Sequence, residues 1–308
     1  MKFRPKAVGV LADAQFRALI ISQATFDLGI FMRGTANSWV VFELTQSQLW
    51  VGLVAGVRAI PILFFALAGG VISDRLGRRN LMMFSGTLIA VSSAVTAILI
   101  SSELLVAWHM LAVSVLGGIV AALYGPAFYA LIADIVRSDQ LTRANGILSV
   151  AQTTGEMFGP VIVGFVIAVS GAHTIFWLVV GGNAIGLMLL LRVREPERAE
   201  SDAGEEKASF ASEFVEGLRF ARDTPPLLWL TLLVIAQNLF GVAIFALMPV
   251  YAQDVLEIGP TGFGLMGGVF GAGTMIGAVY VSLWGIHRRH AYVMFIMGIF
   301  WDVGMVVF

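Results

Sequence analysis

Apolar runs long enough to cross a lipid bilayer recur nine times along this chain, and basic residues cluster on every second connection between them. A hydrocarbon core of about 30 Å takes roughly 20 helical residues. Runs of that length lie near residues 18–42, 49–73, 80–101, 105–131, 144–170, 174–191, 227–253, 261–285 and 291–308. Inside lipid each backbone N–H and C=O must find a partner within its own segment, so such runs are read as helices. A pair of soluble domains is excluded by the same residues. Hydrophobic side chains make up 58% of the chain and charged ones 13%, with a mean hydropathy of +0.87. An average globular protein carries about 25% charged residues. The sequence therefore predicts an all-α, multi-pass membrane protein with nine spans.

Lysine and arginine placement sets the orientation. Lys2, Arg4, Lys6 and Arg17 precede the first span. Arg75, Arg78 and Arg79 follow the second, and Arg137 and Arg143 the fourth. Arg192, Arg194, Arg198, Lys207, Arg219 and Arg222 lie between spans six and seven, then Arg288 and Arg289 after the eighth. The alternate loops hold none, so 17 of the 19 basic residues share one side, the cytoplasm of a plasma or inner membrane. The other two, Arg33 and Arg58, fall inside spans. The first run is too long for a signal peptide, carries Asp27 and Arg33, and is read as a retained helix.

One connection differs from the rest. Residues 195–224 hold 13 of the 39 charged residues, nine of them acidic. Within it Ser209 to Arg222 has Phe210, Phe214, Val215, Leu218 and Ala221 on one face, an amphipathic pattern ending before Pro225 and Pro226. The expected organisation is a six-helix N-terminal bundle over 1–194, a charged cytoplasmic linker over 195–226, and three helices of a C-terminal bundle over 227–308.

The connection after span two places Gly70, Asp74, Arg75, Gly77, Arg78 and Arg79 at fixed spacing. Inside-positive anchoring would account for the arginines but not for the aspartate and two glycines. Here the chain resembles the major facilitator superfamily, whose signature in this loop is G-x-L-A-D-R-x-G-R-K, with Ile72 and Ser73 as mild substitutions. The resemblance implies that Asp74 pairs across the cytoplasmic face with the other half of the protein, so that these six residues form a conformational gate. On span five, Gly146, Gly155, Gly159, Pro160 and Gly164 resemble the superfamily's antiporter motif, with Val163 in place of one glycine. That resemblance implies proton-coupled export rather than import. Read without it, the same residues are a small-residue packing face with a proline kink.

The resemblance runs along the whole chain and is strongest toward siderophore exporters of the enterobactin type and macrolide efflux proteins, through Trp39–Thr45, Arg143–Asn145, Glu216–Phe220 and Leu247–Ala252. Two features depart from it. Span four has His109 but no arginine, and the loop after span eight, with Arg288 and Arg289, has no aspartate.

A charge at mid-bilayer costs at least a few kcal/mol, so each one asks for a reason. On span one, Gln23, Asp27, Arg33, Gly34 and Asn37 fall within about 120° of one another at helical spacing. Counting ~1.5 Å per residue puts Asp27 and Arg58 about 14 Å deep and Glu156 about 18 Å. Gln237 and Asn238 on span seven reach a similar depth. Asp27, Arg33, Arg58, Glu156, Gln237 and Asn238 are thus candidates for a central cavity. Asp27 and Glu156 would carry a proton, and Arg33 and Arg58 would hold an anionic or polar substrate. The alternative is a buried charge-paired network that fixes helix register. Asp302 on span nine has no assigned role. His109, His173, His287 and His290 sit near span ends or in loops without ligand spacing.

The expected function is secondary active transport, the proton-coupled export of a small amphipathic molecule such as a drug, macrolide or siderophore by alternating access. The competing reading is a sensory or signalling membrane protein on a transporter scaffold. No Gly-rich phosphate loop of the G-x-x-x-x-G-K-[ST] type occurs, the chain has no cysteine, and no nucleophile–base pair is legible. No enzyme, metal, cofactor or nucleic-acid partner is therefore implied, and the partners are a small-molecule substrate, protons and the lipid bilayer around a monomer. Spans one to six occupy 174 residues and the second half only 82, so the chain is expected to be a fragment of a twelve-helix transporter without spans ten to twelve.

Overall fold

A computed structural model describes residues 11–62, 64–65, 72, 76–195, 219–220, 222–225, 228–229, 232, 245–284 and 296–300, with backbone alone for 281–284. No strand occurs among the described residues. Seven helices carry the architecture: α1 (Ala14–Thr45), α2 (Gln48–Val57), α3 (Arg78–Ser101), α4 (Ala107–Ile135), α5 (Leu141–Ser170), α6 (Ala172–Leu190) and α7 (Gly259–Trp284). They fall on expected spans one to six and eight, though α2 covers only the start of span two, and among the described residues five helices, α3 to α7, are long and apolar enough to cross a membrane. Spans seven and nine fall mostly outside the described residues, as does the amphipathic stretch of the linker.

The chain divides into two compact units, Met1–Pro196 with Leu247–Tyr280, and Glu197–Ala246 with Val281–Phe308. The first contains all seven helices up to Tyr280. Within it α1 is the central helix, touching α2, α4, α5 and α6, while α3 packs on α4 and α6. At 32 residues α1 is about 48 Å long, well beyond the hydrocarbon core. Asp13 starts it by accepting from Gln15 N at 2.7 Å and Phe16 N at 3.3 Å. Gln46 ends it in the left-handed region at φ 49°, its N–H bonded to Phe42 O. Only Gln46 and Ser47 then separate α1 from α2.

Glycines decide how closely the helices approach. A Cβ on Gly155 would meet the Leu28 backbone at 3.1 Å, and one on Gly159 would meet Phe31 Cβ at 2.9 Å, so α5 lies flat on α1. The opposite side of α5 meets α7 in the same way. Gly164 and Gly264 face each other so closely that a Cβ on either would come within 2.7 Å of the other's Cα. Large apolar side chains point out of the bundle, among them Phe84, Trp108, Phe165 and Val169. That outer surface would be an aggregation hazard in water and is the ordinary face of a protein in lipid. Trp50 and Trp108 meet edge to face at 5.3 Å, at the bundle end opposite the arginine-rich loops.

Candidate functional site

α1 and α4 supply most of the lining of a cavity of about 210 Å³ at mid-helix, with α3, α5, Arg58 just past α2 and Asn183 of α6 completing its wall. Asp27, Arg33 and Arg58 all line it. The first two belong to the polar stripe of α1, and Arg58 lies just past the end of α2. Gln23 donates from Nε2 to Asp27 Oδ1 at 2.9 Å, and Tyr124 donates from its hydroxyl to Gln23 Oε1 at 2.8 Å. A carboxylate, an amide and a phenol from two helices thus form one chain, which also fixes the amide orientation of Gln23. Phe26 and Phe128 flank the Tyr124 ring at centroid distances of 5.3 and 6.2 Å, giving the cavity an aromatic wall.

The two arginines are held differently. Arg33 is only 6% exposed, and no protein group hydrogen-bonds its Nη1. Arg58 Nε is likewise buried without a partner. The adjacent glycines Gly117 and Gly118 on α4 make room for both residues. A Cβ on Gly117 would lie 2.8 Å from Arg33 Nη2, and one on Gly118 would lie 2.3 Å from the Arg58 carbonyl oxygen. Nearby, Ser85 Oγ and both amide atoms of Asn183 are buried without hydrogen-bond partners. Both residues were missing from the expected cavity set, as was Tyr124. Asn183 left a signal in the sequence, because an amide in the middle of an apolar run is costly unless it has a use.

Among the described residues the ionic network considered as the alternative is not formed. The ion pairs seen there join Arg78 to Asp134 and Arg137 to Asp139, and neither includes Asp27, Arg33, Arg58 or Glu156. Glu156 does not line the cavity. It sits half-buried on α5, at the turn where a Cβ on Gly271 of α7 would lie 2.8 Å from the Glu156 backbone. Gln237 and Asn238 lie outside the described residues.

Of the expected gate, Gly70, Asp74 and Arg75 also lie outside the described residues, while Gly77, Arg78 and Arg79 are placed. Gly77 takes φ +83° and opens α3, a conformation that suits glycine. Glu195 Oε1 accepts from Arg78 N at 2.6 Å, putting a carboxylate on the positive end of the α3 dipole. The Arg78 guanidinium donates to Ala130 O at 2.7 Å and pairs with Asp134, and Arg79 donates to Val193 O at 3.0 Å. The start of α3 is thereby tied to the ends of α4 and α6. Of the α5 motif, Gly155, Gly159 and Gly164 are contact positions, and a Cβ on Gly267 of α7 would meet Pro160 Cβ at 2.6 Å. Gly146 faces open space.

Helices long and apolar enough to cross a membrane, packed around a mid-helix cavity with a charged lock at one end, define the class as a polytopic helical membrane protein. Residues 6–290 match the model of a family described as transmembrane secretion effector, and the chain belongs to that family within the major facilitator superfamily. It is 28% identical over 248 residues to the multidrug efflux pump Tap of Mycolicibacterium fortuitum, covering 77% of this chain and 60% of that one. It is 24% identical over 267 residues to macrolide efflux protein A of Streptococcus pyogenes, covering 84% of this chain and 66% of that one. The chain thus spans about 60–66% of the length of these relatives. The fold is shared with a bacterial homologue of the human lysosomal transporter Spinster. There the TM-score is 0.65 at 16% identity, over 91% of this chain and 64% of that one.

Proposed function

We propose that this protein is a proton-coupled exporter of small amphipathic molecules, working by alternating access. The observation that carries this reading is the mid-helix cavity, where Asp27, Arg33 and Arg58 face an aromatic wall inside a transporter-family bundle. The names of the two efflux relatives agree with export. Asp27 is the proton carrier in this reading, since its carboxylate is within reach of the cavity and is held by a neutral amide rather than by a cation. Glu156 is a second carrier on α5, and Gln237 and Asn238 in the sequence of span seven are further candidates for substrate contact. The loop after span two, with Gly70, Asp74 and Arg75 beside the placed Gly77, Arg78 and Arg79, gates the cytoplasmic end. The small residues Gly155 and Gly159 toward α1, and Pro160 and Gly164 toward α7, form the two faces on which the helices slide, while Gly146 of the same motif stays out of contact. The N-terminus and the 195–226 linker, which joins the 1–194 and 227–308 bundles in sequence, are cytoplasmic in this reading, and the protein works as a monomer.

Dye efflux from cells expressing the protein tests this. Export that collapses on adding an uncoupler is expected, and Asp27→Asn should reduce it at least about tenfold and remove its pH dependence, with insertion into the membrane unchanged. Absence of efflux from correctly inserted protein would favour the sensory reading. Full efflux with unaltered pH dependence in Asp27→Asn would remove that residue from the mechanism.

A further inference from the structure

Arg33 and Arg58 face the same cavity, and the cavity wall carries more positive than negative charge. Asp27 is the one carboxylate among the described lining residues, and it is engaged by Gln23. It also lies six residues from Arg33 along α1, an axial separation of about 9 Å. With Asp27 ionised the wall holds a formal charge of +1, and with Asp27 protonated +2. Arginine does not escape by losing its proton. A buried guanidinium therefore needs hydrogen-bond acceptors, and Arg33 Nη1 and Arg58 Nε have none from the protein.

From this arrangement we propose that Arg33 and Arg58 form the seat of an oxyanion, the carboxylate or sulfonate of an amphipathic substrate. The proposal rests on the exporter reading and names its substrate class. The planar guanidinium of Arg33 offers two parallel donors to such a group, and the second cation disfavours any ligand that brings a positive charge. Asn183 and Ser85 supply further polar contacts from α6 and α3, since their buried polar atoms also lack partners. The rings of Phe26, Tyr124 and Phe128 take the apolar body. Gly117 is part of the design. With a Cβ 2.8 Å from Nη2, any other residue there would push the guanidinium off α4.

Equilibrium binding to the full chain, purified in detergent, tests the proposal with three probes that share an apolar body: 1-naphthaleneacetate, 1-naphthaleneacetamide and 2-(1-naphthyl)ethylammonium. The acetate should bind at least about tenfold more tightly than the neutral amide, with the ammonium weakest. Arg33→Gln should erase the preference for the acetate, while Arg33→Lys, which keeps the charge but loses the fork, should retain part of it. Thermal unfolding of each variant is the companion measurement. A purely structural arginine would lower the melting temperature and leave the relative affinities of the probes unchanged, which would overturn the proposal. Equal binding of acetate and amide by the unaltered protein, a preference for the ammonium, or no binding of any probe would overturn it as well. Because binding needs no turnover, the two readings fail separately. Lost efflux with the anion preference intact counts against export alone, and efflux without that preference counts against the oxyanion seat alone.

Discussion

Arg33 and Arg78 are the same residue type in the same bundle, placed at different depths, and their surroundings differ accordingly. At the end of α3, Arg78 meets a backbone carbonyl and a carboxylate, and its own N–H is bonded by Glu195. At mid-depth, Arg33 is more deeply buried and, among the described residues, has neither the ion pair nor the backbone carbonyl that hold the Arg78 guanidinium. A charge satisfied by its neighbours ties helices together, and removing it breaks the tie. One left unsatisfied contributes little to the bundle and is available to a ligand.

Three substitutions can break or sharpen that contrast, each read as thermal unfolding of the purified protein in one detergent. Arg78→Ala should cost most, about 1–2 kcal/mol, because it removes the ion pair with the exposed Asp134 and the hydrogen bond to the Ala130 carbonyl together. Glu195→Gln should cost about 1 kcal/mol, since a neutral amide still accepts from Arg78 N but no longer opposes the α3 dipole. Arg33→Met should have the smallest effect, between no change and a gain of about 1 kcal/mol, because an uncompensated buried cation is exchanged for an apolar chain of similar length. A loss for Arg33→Met as large as that for Arg78→Ala would erase the distinction between the two sites. An Arg78→Ala protein that melts with the unaltered one would show the α3 lock to be idle.

The helices were legible because lipid leaves so few options. Apolar runs of 20 residues with at most one or two charges have to be helices, and α3, α5 and α7 begin within three residues of their expected starts. The cavity was legible in part. The stripe on α1 brought out Asp27 and Arg33, since helical spacing alone puts them on one side. Glu156 shows where such counting stops. Rise per residue gives a height in the membrane, but the direction a residue faces depends on neighbours that sequence does not place. The same limit hid Tyr124, whose partner Gln23 is 101 residues away, and the Gly117–Gly118 pair, whose purpose appears only when α1 and α2 lie against it. Glu195 was read as the first charge of a linker. A hint was present, because α3 opens at Gly77 with no Ser, Thr, Asp or Asn to cap it, and the cap had to come from elsewhere.

Gly171 is the only residue between α5 and α6, closing the first with an N–H bond to Ile167 O at 3.0 Å and opening the second at φ +84°. Two rods of about 45 and 28 Å therefore share a joint one residue long. α5 presses its glycines on α7, and α6 carries Asn183 into the cavity wall. The α5–α7 contact and the α6 wall around Asn183 therefore meet at a single glycine.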